Sequence, residues 1–389
     1  MVWWWLLFLS STTTSWDVSL PIPAMGTVGE RSKFFHENAL KLMPKLDMNS
    51  SIIEWMEMQA PLTFDLAAGT YLKWSRYQEA ILRSCDELWS LVPEDRLDFL
   101  WDFRVSWTRS MPRYGKFVYV PLPWHQLVEQ AVLYENYEPL KRAANIFKRL
   151  NFEKFSHFLT TGQCSLLQIK RHARRGGFRF PYLDRIELVF NGRLENIDRF
   201  SSQLDLDFRE IPTVLLYRRE IKVKQQKTQS VFFSGACTSP LRERLHLYLS
   251  VRPCGNKQRA YVNELAQSTW ALAPRSTFPN THLLAEAIQA ETLPIYIFDW
   301  KVNTSKPLPP SRKIIPLLPY SDIGLRWRDL GIVTTADKLT RLTEMIHQTP
   351  TELRENYLRW ARHLFTLKGS FHYMLIVLKV YSDALLPGT

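Results

Sequence analysis

Apolar positions recur at helical spacing over residues 84–102, interrupted at Pro93, and again over 122–133, which predicts two helices. Between them, 117–121 (FVYVP) is a short apolar run closed by proline, the pattern of a buried strand. Residues 186–190 (IELVF) and 214–217 predict further strands. A polar, basic stretch follows at 218–229 (RREIKVKQQKTQ) and reads as a linker. Beyond it the alternation is regular: strand 230–233, helix 240–249, strand 269–273, helix 281–290 and strand 293–298 (LPIYIF). Amphipathic helices at 336–347 and 351–365 and a last helix at 371–385 complete the pattern. Strands alternating with helices predict an α/β fold with parallel sheet covered on both faces.

At 389 residues the chain exceeds the size at which single cores stop growing, roughly 250–300 residues. Two domains are therefore expected, at 31–217 and 230–389, joined by the basic linker 218–229. A hydrophobic content of 46% is too high for a disordered chain, and 14 glycines are too few for a glycine-repeat architecture. Residues 2–9 (VWWWLLFL) are apolar but far short of the ~20 residues that span a bilayer. The first basic residue is Arg31, so the charged flank of a leader is missing. Residues 1–30 fit a truncated leader or anchor, or a surface strand.

Charge narrows the partners. Fifty basic residues against 38 acidic ones give +12, which favours nucleic acid, phosphorylated ligands, acidic polysaccharide or an anionic membrane surface. No nucleic-acid-binding motif accompanies the charge, so no nucleic-acid partner is expected. The densest basic run, 170–175 (KRHARR), fits a solvated helix face or a contact to a phosphate or acidic sugar. The four cysteines form no Cys-x-x-Cys pair, and the nine histidines lack His-Glu-x-x-His spacing. Asp299 and Asp322 make no Asp-x-Asp pair, so no metal site is expected. Cys237 and Cys254 could join in an oxidising compartment or stay as buried thiols. Asn49-Ser50-Ser51 and Asn303-Thr304-Ser305 are glycosylation sequons, meaningful only in a secretory compartment.

The segment 270–300 (WALAPRSTFPNTHLLAEAIQAETLPIYIFDW) reads as strand, loop, helix, strand. Ligands of open α/β sheets lie beyond the carboxyl ends of the strands. Asn280 or Thr281 can cap the helix, whose amino-terminal N–H groups and dipole suit a phosphate, and Arg275 adds a full charge. Leu283, Leu284, Ala287 and Ile288 define one apolar face, with Glu286 about 130° from its centre. Glu286 can offer its carboxylate to the vicinal hydroxyls of a ribose, or lie exposed as an ordinary helical glutamate.

This segment resembles the carboxyl-terminal half-motif of the exostosin-like glycosyltransferases (glycosyltransferase family 47). The matching residues are Ala273-Pro274-Arg275, Glu286-Ala287 and Leu293-Pro294-Ile295-Tyr296-Ile297. Phe232-Phe233-Ser234-Gly235 followed by Arg242-x-x-Leu245 is similar to the family's approach to its nucleotide domain. Leu318-Pro319-Tyr320, Trp327 and Leu330, then Leu339, Leu342 and Arg354, resemble its closing region. In the first half the similarity is thinner: Val118-Tyr119-Val120-Pro121, His157-Phe158 and Ile211-Pro212. The resemblance implies a GT-B architecture, two Rossmann-like domains facing each other across a cleft, and inverting transfer without a bound metal. It implies a nucleotide-sugar donor, UDP-linked, in the second domain and a glycan acceptor in the first, with a heteromeric transferase partner as a further expectation. It places the protein in the Golgi or another secretory compartment. Carried onto this chain, Gly235, Arg242, Arg244, Arg275, Thr281 and Glu286 would bind the donor. His157, His125 or Glu129 would be the general base. Three departures stand out: Ser276 replaces the family's loop glycine, Leu283 replaces the arginine of its Ser-x-Arg, and Glu291-Thr292 replaces its glycine before the second strand.

Overall fold

The computed structural model describes residues 27–59, 68–91, 104, 107, 117–150, 152, 155–162, 164–192, 195–197, 209–214, 216, 221, 226–255, 261–275, 281–298, 314–316 and 318–385. The apolar run 2–9, most of the expected helix 84–102, Asn280, Asp299 and the Asn303 sequon lie outside them. In chain order the elements are helices α1 (Val28–Glu37), α2 (Ile52–Gln59) and α3 (Ala68–Trp89), strand β1 (Phe117–Tyr119), helices α4 (Trp124–Leu133) and α5 (Glu138–Lys148), strand β2 (Ser156–Gly162) and helix α6 (Leu166–Arg175). Strands β3 (Leu188–Asn191), β4 (Glu195–Ile197), β5 (Glu210–Pro212) and β6 (Gln229–Phe232) follow. Then come α7 (Pro240–Arg244), α8 (Tyr261–Ala266), β7 (Ser268–Pro274), α9 (Leu283–Gln289), β8 (Leu293–Phe298), β9 (Ile314–Pro316), α10 (Trp327–Leu330) and β10 (Ile332–Thr335). Helices α11 (Leu342–Gln348), α12 (Glu352–Ala361) and α13 (Leu367–Leu385) close the chain.

Two four-stranded parallel sheets result, β1-β2-β3-β5 and β6-β7-β8-β10. This α/β architecture is compatible with a two-domain Rossmann-like arrangement. A short antiparallel pairing of β4 with β9 ties the two halves together. Within each sheet the strands follow chain order without a reversal. Right-handed crossovers then set the connecting helices on one face.

The first sheet illustrates the consequence. One face carries Val118, Val120, Leu159 and Val189 and packs with residues of α3 to α6. The alternate residues Phe117, Tyr119, Phe158, Leu188, Phe190 and Ile211 point the other way and are equally buried. Among the described residues no crossover helix covers that face. It is closed by the two ends of the described chain: Tyr381 of α13 lies 4.8 Å from Phe35 of α1 and 6.0 Å from Phe117. Trp107 packs 4.9 Å from Phe158. The Tyr381 hydroxyl donates to buried Glu187, which also pairs with Arg31. The edge strand β1 is blunted by Gln78, whose side-chain amide donates to Tyr119 O and accepts from Tyr119 N, both at 2.8 Å.

The second sheet and its helices share the same apolar cluster. The segment after α1 is fastened to this half through Leu46 N to Ile323 O (2.8 Å) and Trp360 Nε1 to Ser50 O (3.0 Å). Of the basic linker, Lys227 donates to Ala266 O and Thr292 Oγ1 at 3.0 and 3.1 Å, so this cation is spent inside the second half.

Several elements differ from the sequence expectation. The strand expected at 186–190 forms two residues later, at Leu188–Asn191, and the one expected at 214–217 forms earlier, at Glu210–Pro212. Beyond Pro212, Thr213 N still donates to Asn191 O of β3 at 2.6 Å, and Val214 and Leu216 are buried outside the strand. Helix 240–249 is shorter, tightening into a 3-10 turn at Leu245–Leu247. Strands β2 and β10 carry polar threonines that mask their pattern.

Candidate functional site

At the carboxyl ends of β6 and β7 the structure gathers most of the predicted donor residues. Ser239 caps α7 with Pro240 at its first position, a preferred helix start, and accepts from Arg242 N at 3.4 Å. This cap points Arg242 inward, where it is 9% exposed. Its Nε donates to Arg275 O at 3.0 Å, and Nη2 to Pro274 O and Thr281 Oγ1 at 3.2 and 3.4 Å. Nη1 reaches Ala236 O at 3.4 Å. A Cβ on Gly235 would stand 3.0 Å from that same Nη1, so a side chain there would press on the guanidinium. Gly235, Arg242, Arg275 and Thr281 therefore form one cluster in which Arg242 stitches the loop after β6 to the loop after β7. Arg242 acts as a scaffold for the loops, a role different from the direct diphosphate contact expected of it. Arg244, two residues on, is exposed and outside the cluster.

Glu286 is buried, so it is not the ordinary exposed helical glutamate: every residue of α9 is buried, and the helix has no solvent face. The Tyr261 hydroxyl of α8 donates to its carboxylate, and Tyr261 stands 5.5 Å from Phe232 of β6. Tyr261 and Ser239 are site residues that the motif reading missed. Ser-Pro ahead of Leu241 was a readable cap signal for Ser239; nothing near Tyr261 in sequence marks it. Leu283 is buried at the first turn of α9. Glu291 takes the left-handed conformation (φ 53°) that closes α9, with Glu291 N bonded to Ile288 O and Thr292 N to Ala287 O. Glycine holds this position at little cost; here Arg362 pairs with the Glu291 carboxylate.

The candidate bases separate. His125 lies in the first turn of α4, directly after β1, with Glu129 one turn further on the same face, both half-buried at the carboxyl edge of the first sheet. His157 is at the opposite, amino-terminal end of β2, paired in register with Val118. It is fully buried, with Tyr77 Oη 3.1 Å from its Nε2 and the Phe152 ring 4.6 Å away. Burial lowers its pKa from 6.5 to about 3, so the ring is neutral. This is a core histidine, and the structure does not bring it to the edge where His125 and Glu129 stand.

Cys237 and Cys254 form a disulfide across the loop that carries α7, and Gly255 N bonds Gly235 O at 2.8 Å at its base. Cys85 and Cys164 are buried thiols whose pKa values burial pushes up. Asn49 is exposed on a turn, its N–H bonded to Asp47 Oδ1 at 2.9 Å. Among the described residues no group of three metal-binding side chains comes together, and no helix is long and apolar enough to cross a membrane. No protein-family model and no curated protein matches the chain.

Proposed function

We propose that the protein is an inverting glycosyltransferase of the exostosin-like kind, transferring a sugar from a nucleotide-sugar donor to a glycan acceptor. The observation that carries this reading is the joining of Gly235, Arg242, Arg275 and Thr281 at the carboxyl ends of β6 and β7. Beside them buried Glu286 is oriented by Tyr261. In this reading the two sheets face each other in a GT-B arrangement, with the donor on the second and the acceptor on the first. Arg275 and the amino terminus of α9 stabilise the departing diphosphate, and Arg242 fixes the loops that present them. Glu286 accepts hydrogen bonds from the ribose hydroxyls. His125, or Glu129 one turn away, removes the proton of the acceptor hydroxyl as its oxygen attacks the anomeric carbon. The bond to the diphosphate breaks with its electron pair, inverting the configuration. The chemistry needs no metal or other cofactor. The Cys237–Cys254 disulfide and the exposed Asn49 sequon favour a secretory compartment such as the Golgi.

Leu283, buried where the family carries an arginine, favours a second reading: a non-catalytic subunit that binds glycan or steadies an active transferase partner. Thermal unfolding with a panel of nucleotides and nucleotide sugars separates the two, because a ligand that binds only the folded state raises its melting temperature. A rise with one uridine nucleotide, abolished in Glu286→Gln, is the expected result. No rise across the panel, with folded protein, rejects the transferase reading and leaves the subunit.

A further inference from the structure

A cavity of about 560 Å3 opens at the carboxyl end of α6, lined by Lys170, Arg174, Arg179, Tyr182, Asp184 and Arg185 over a floor that includes Phe180. Its volume lies within the range of ligand sites, about 300–1,000 Å3. Because α6 runs against the strands it connects, this end of the helix lies at the amino ends of β2 and β3. The cavity therefore belongs to the opposite end of the first sheet from His125 and Glu129.

The local fold builds it. Ser165 and Gln168 form a capping box that starts α6, and Gly177 (φ 76°) ends it, with Phe178 N bonded to Ala173 O. Gly176 admits no side chain, since a Cβ would lie 2.7 Å from Tyr137 Cγ. The chain then turns back through Arg179 and enters the 3-10 turn Leu183–Arg185. Lys170 and Arg174 project from one face of α6 at i and i+4, while Arg179 and Arg185 approach from the returning segment. Arg174, Arg179 and Arg185 are exposed and enter no ion pair among the described residues. Among the described lining residues these three arginines face one carboxylate, Asp184. Tyr182, at the rim, is 47% exposed and held in the left-handed region (φ 54°). Such a conformation in a bulky non-glycine residue is costly and concentrates at ligand sites.

We propose that this cavity binds an acidic oligosaccharide, a sugar chain bearing carboxylate or sulfate groups. Guanidinium forks match planar or tetrahedral oxyanions in paired hydrogen bonds. Because the cations come from two sides of the cavity, they bracket charges spread along a ligand. Asp184 accepts hydrogen bonds from hydroxyls between those charges, and the Tyr182 ring offers a flat surface for a sugar face. A single-stranded nucleic acid would want a succession of stacking rings; the rim has one. A membrane surface would want a protruding face, and this one is concave. The site stands whether or not the donor site works.

The test is titration of the full chain with a size-defined oligogalacturonate and a sulfated oligosaccharide, alongside inorganic triphosphate, a single-stranded oligonucleotide and anionic phospholipid vesicles. Arg174→Glu/Arg185→Glu is compared with Arg171→Glu/Arg175→Glu, which makes the same charge change on exposed residues outside the cavity. The cavity double should weaken acidic-sugar binding about tenfold or more, with Tyr182→Ala also weaker and the control double within about threefold of the parent. Arg174→Gln/Arg185→Gln repeats the comparison should charge reversal disturb the fold. Equal losses in both doubles, no binding of either sugar, or preferential binding of triphosphate, oligonucleotide or vesicles through the cavity would overturn the proposal.

Discussion

Arg242 spends its guanidinium on two backbone carbonyls of the β7 loop, one of the β6 loop and the Thr281 hydroxyl. Replacing it by methionine keeps much of the volume but leaves these buried acceptors unpaired. Arg242→Met should lower stability by about 2–4 kcal/mol in urea unfolding, whereas exposed Arg244→Met should stay within about 0.5 kcal/mol. His157 carries a different prediction, because its folded pKa is depressed. The unfolded chain takes up this proton near pH 6.5 while the buried ring stays neutral down to about pH 3. Its contribution is whole above pH 6.5 and is lost as pH falls toward 3. His157→Gln should flatten that acid limb of the stability curve, and the pH dependence of any transferase activity should not follow it. Residue roles were the least legible part of the sequence. Adjacent residues identified Glu286, Arg275 and His157 only as types in a pattern. Burial, which decides what each does, comes from helices far away in the chain.

Elements were more legible where local signals agreed. The strand over 293–298 is a continuous apolar run ending in four β-branched and aromatic residues, Ile295 to Phe298, and it forms β8 as expected. The helix over 122–133 begins only at Trp124, after the prolines of the turn. Strand β2 was missed because its sequence, SHFLTTG, lacks either alternation or a full apolar run; its threonines are buried through hydrogen bonds such as Tyr119 Oη with Thr160 Oγ1 at 2.5 Å. The loop after β6 shows how a covalent link serves an element. The disulfide closes a separation of 17 residues around the short helix α7 that positions Arg242. Removing it by Cys237→Ser/Cys254→Ser should cost about 3 kcal/mol. Nucleotide binding should weaken with it, as compared by denaturant unfolding and calorimetry.

At the scale of the molecule, sequential strand order puts the crossover helices of the first sheet on one face, and the chain ends close the other. The pairing of Tyr381 and Arg31 on Glu187 fixes that closure between residues 350 positions apart in sequence. No local pattern could have revealed it: α1 was not expected from the sequence, α13 was expected only as a last helix, and their meeting depends on how both pack onto β1 to β3. The alternation of strand and helix, by contrast, announced parallel sheet, since each strand needed a returning helix. The central claim is that a nucleotide sugar sits on the second sheet and faces the first. The most direct measurement is amide hydrogen exchange of the full chain with and without a saturating uridine nucleotide sugar. Protection in the loops after β6 and β7, at the start of α9, and more weakly around His125 is the predicted result. Protection confined to the first sheet, or none at saturation, would contradict the account.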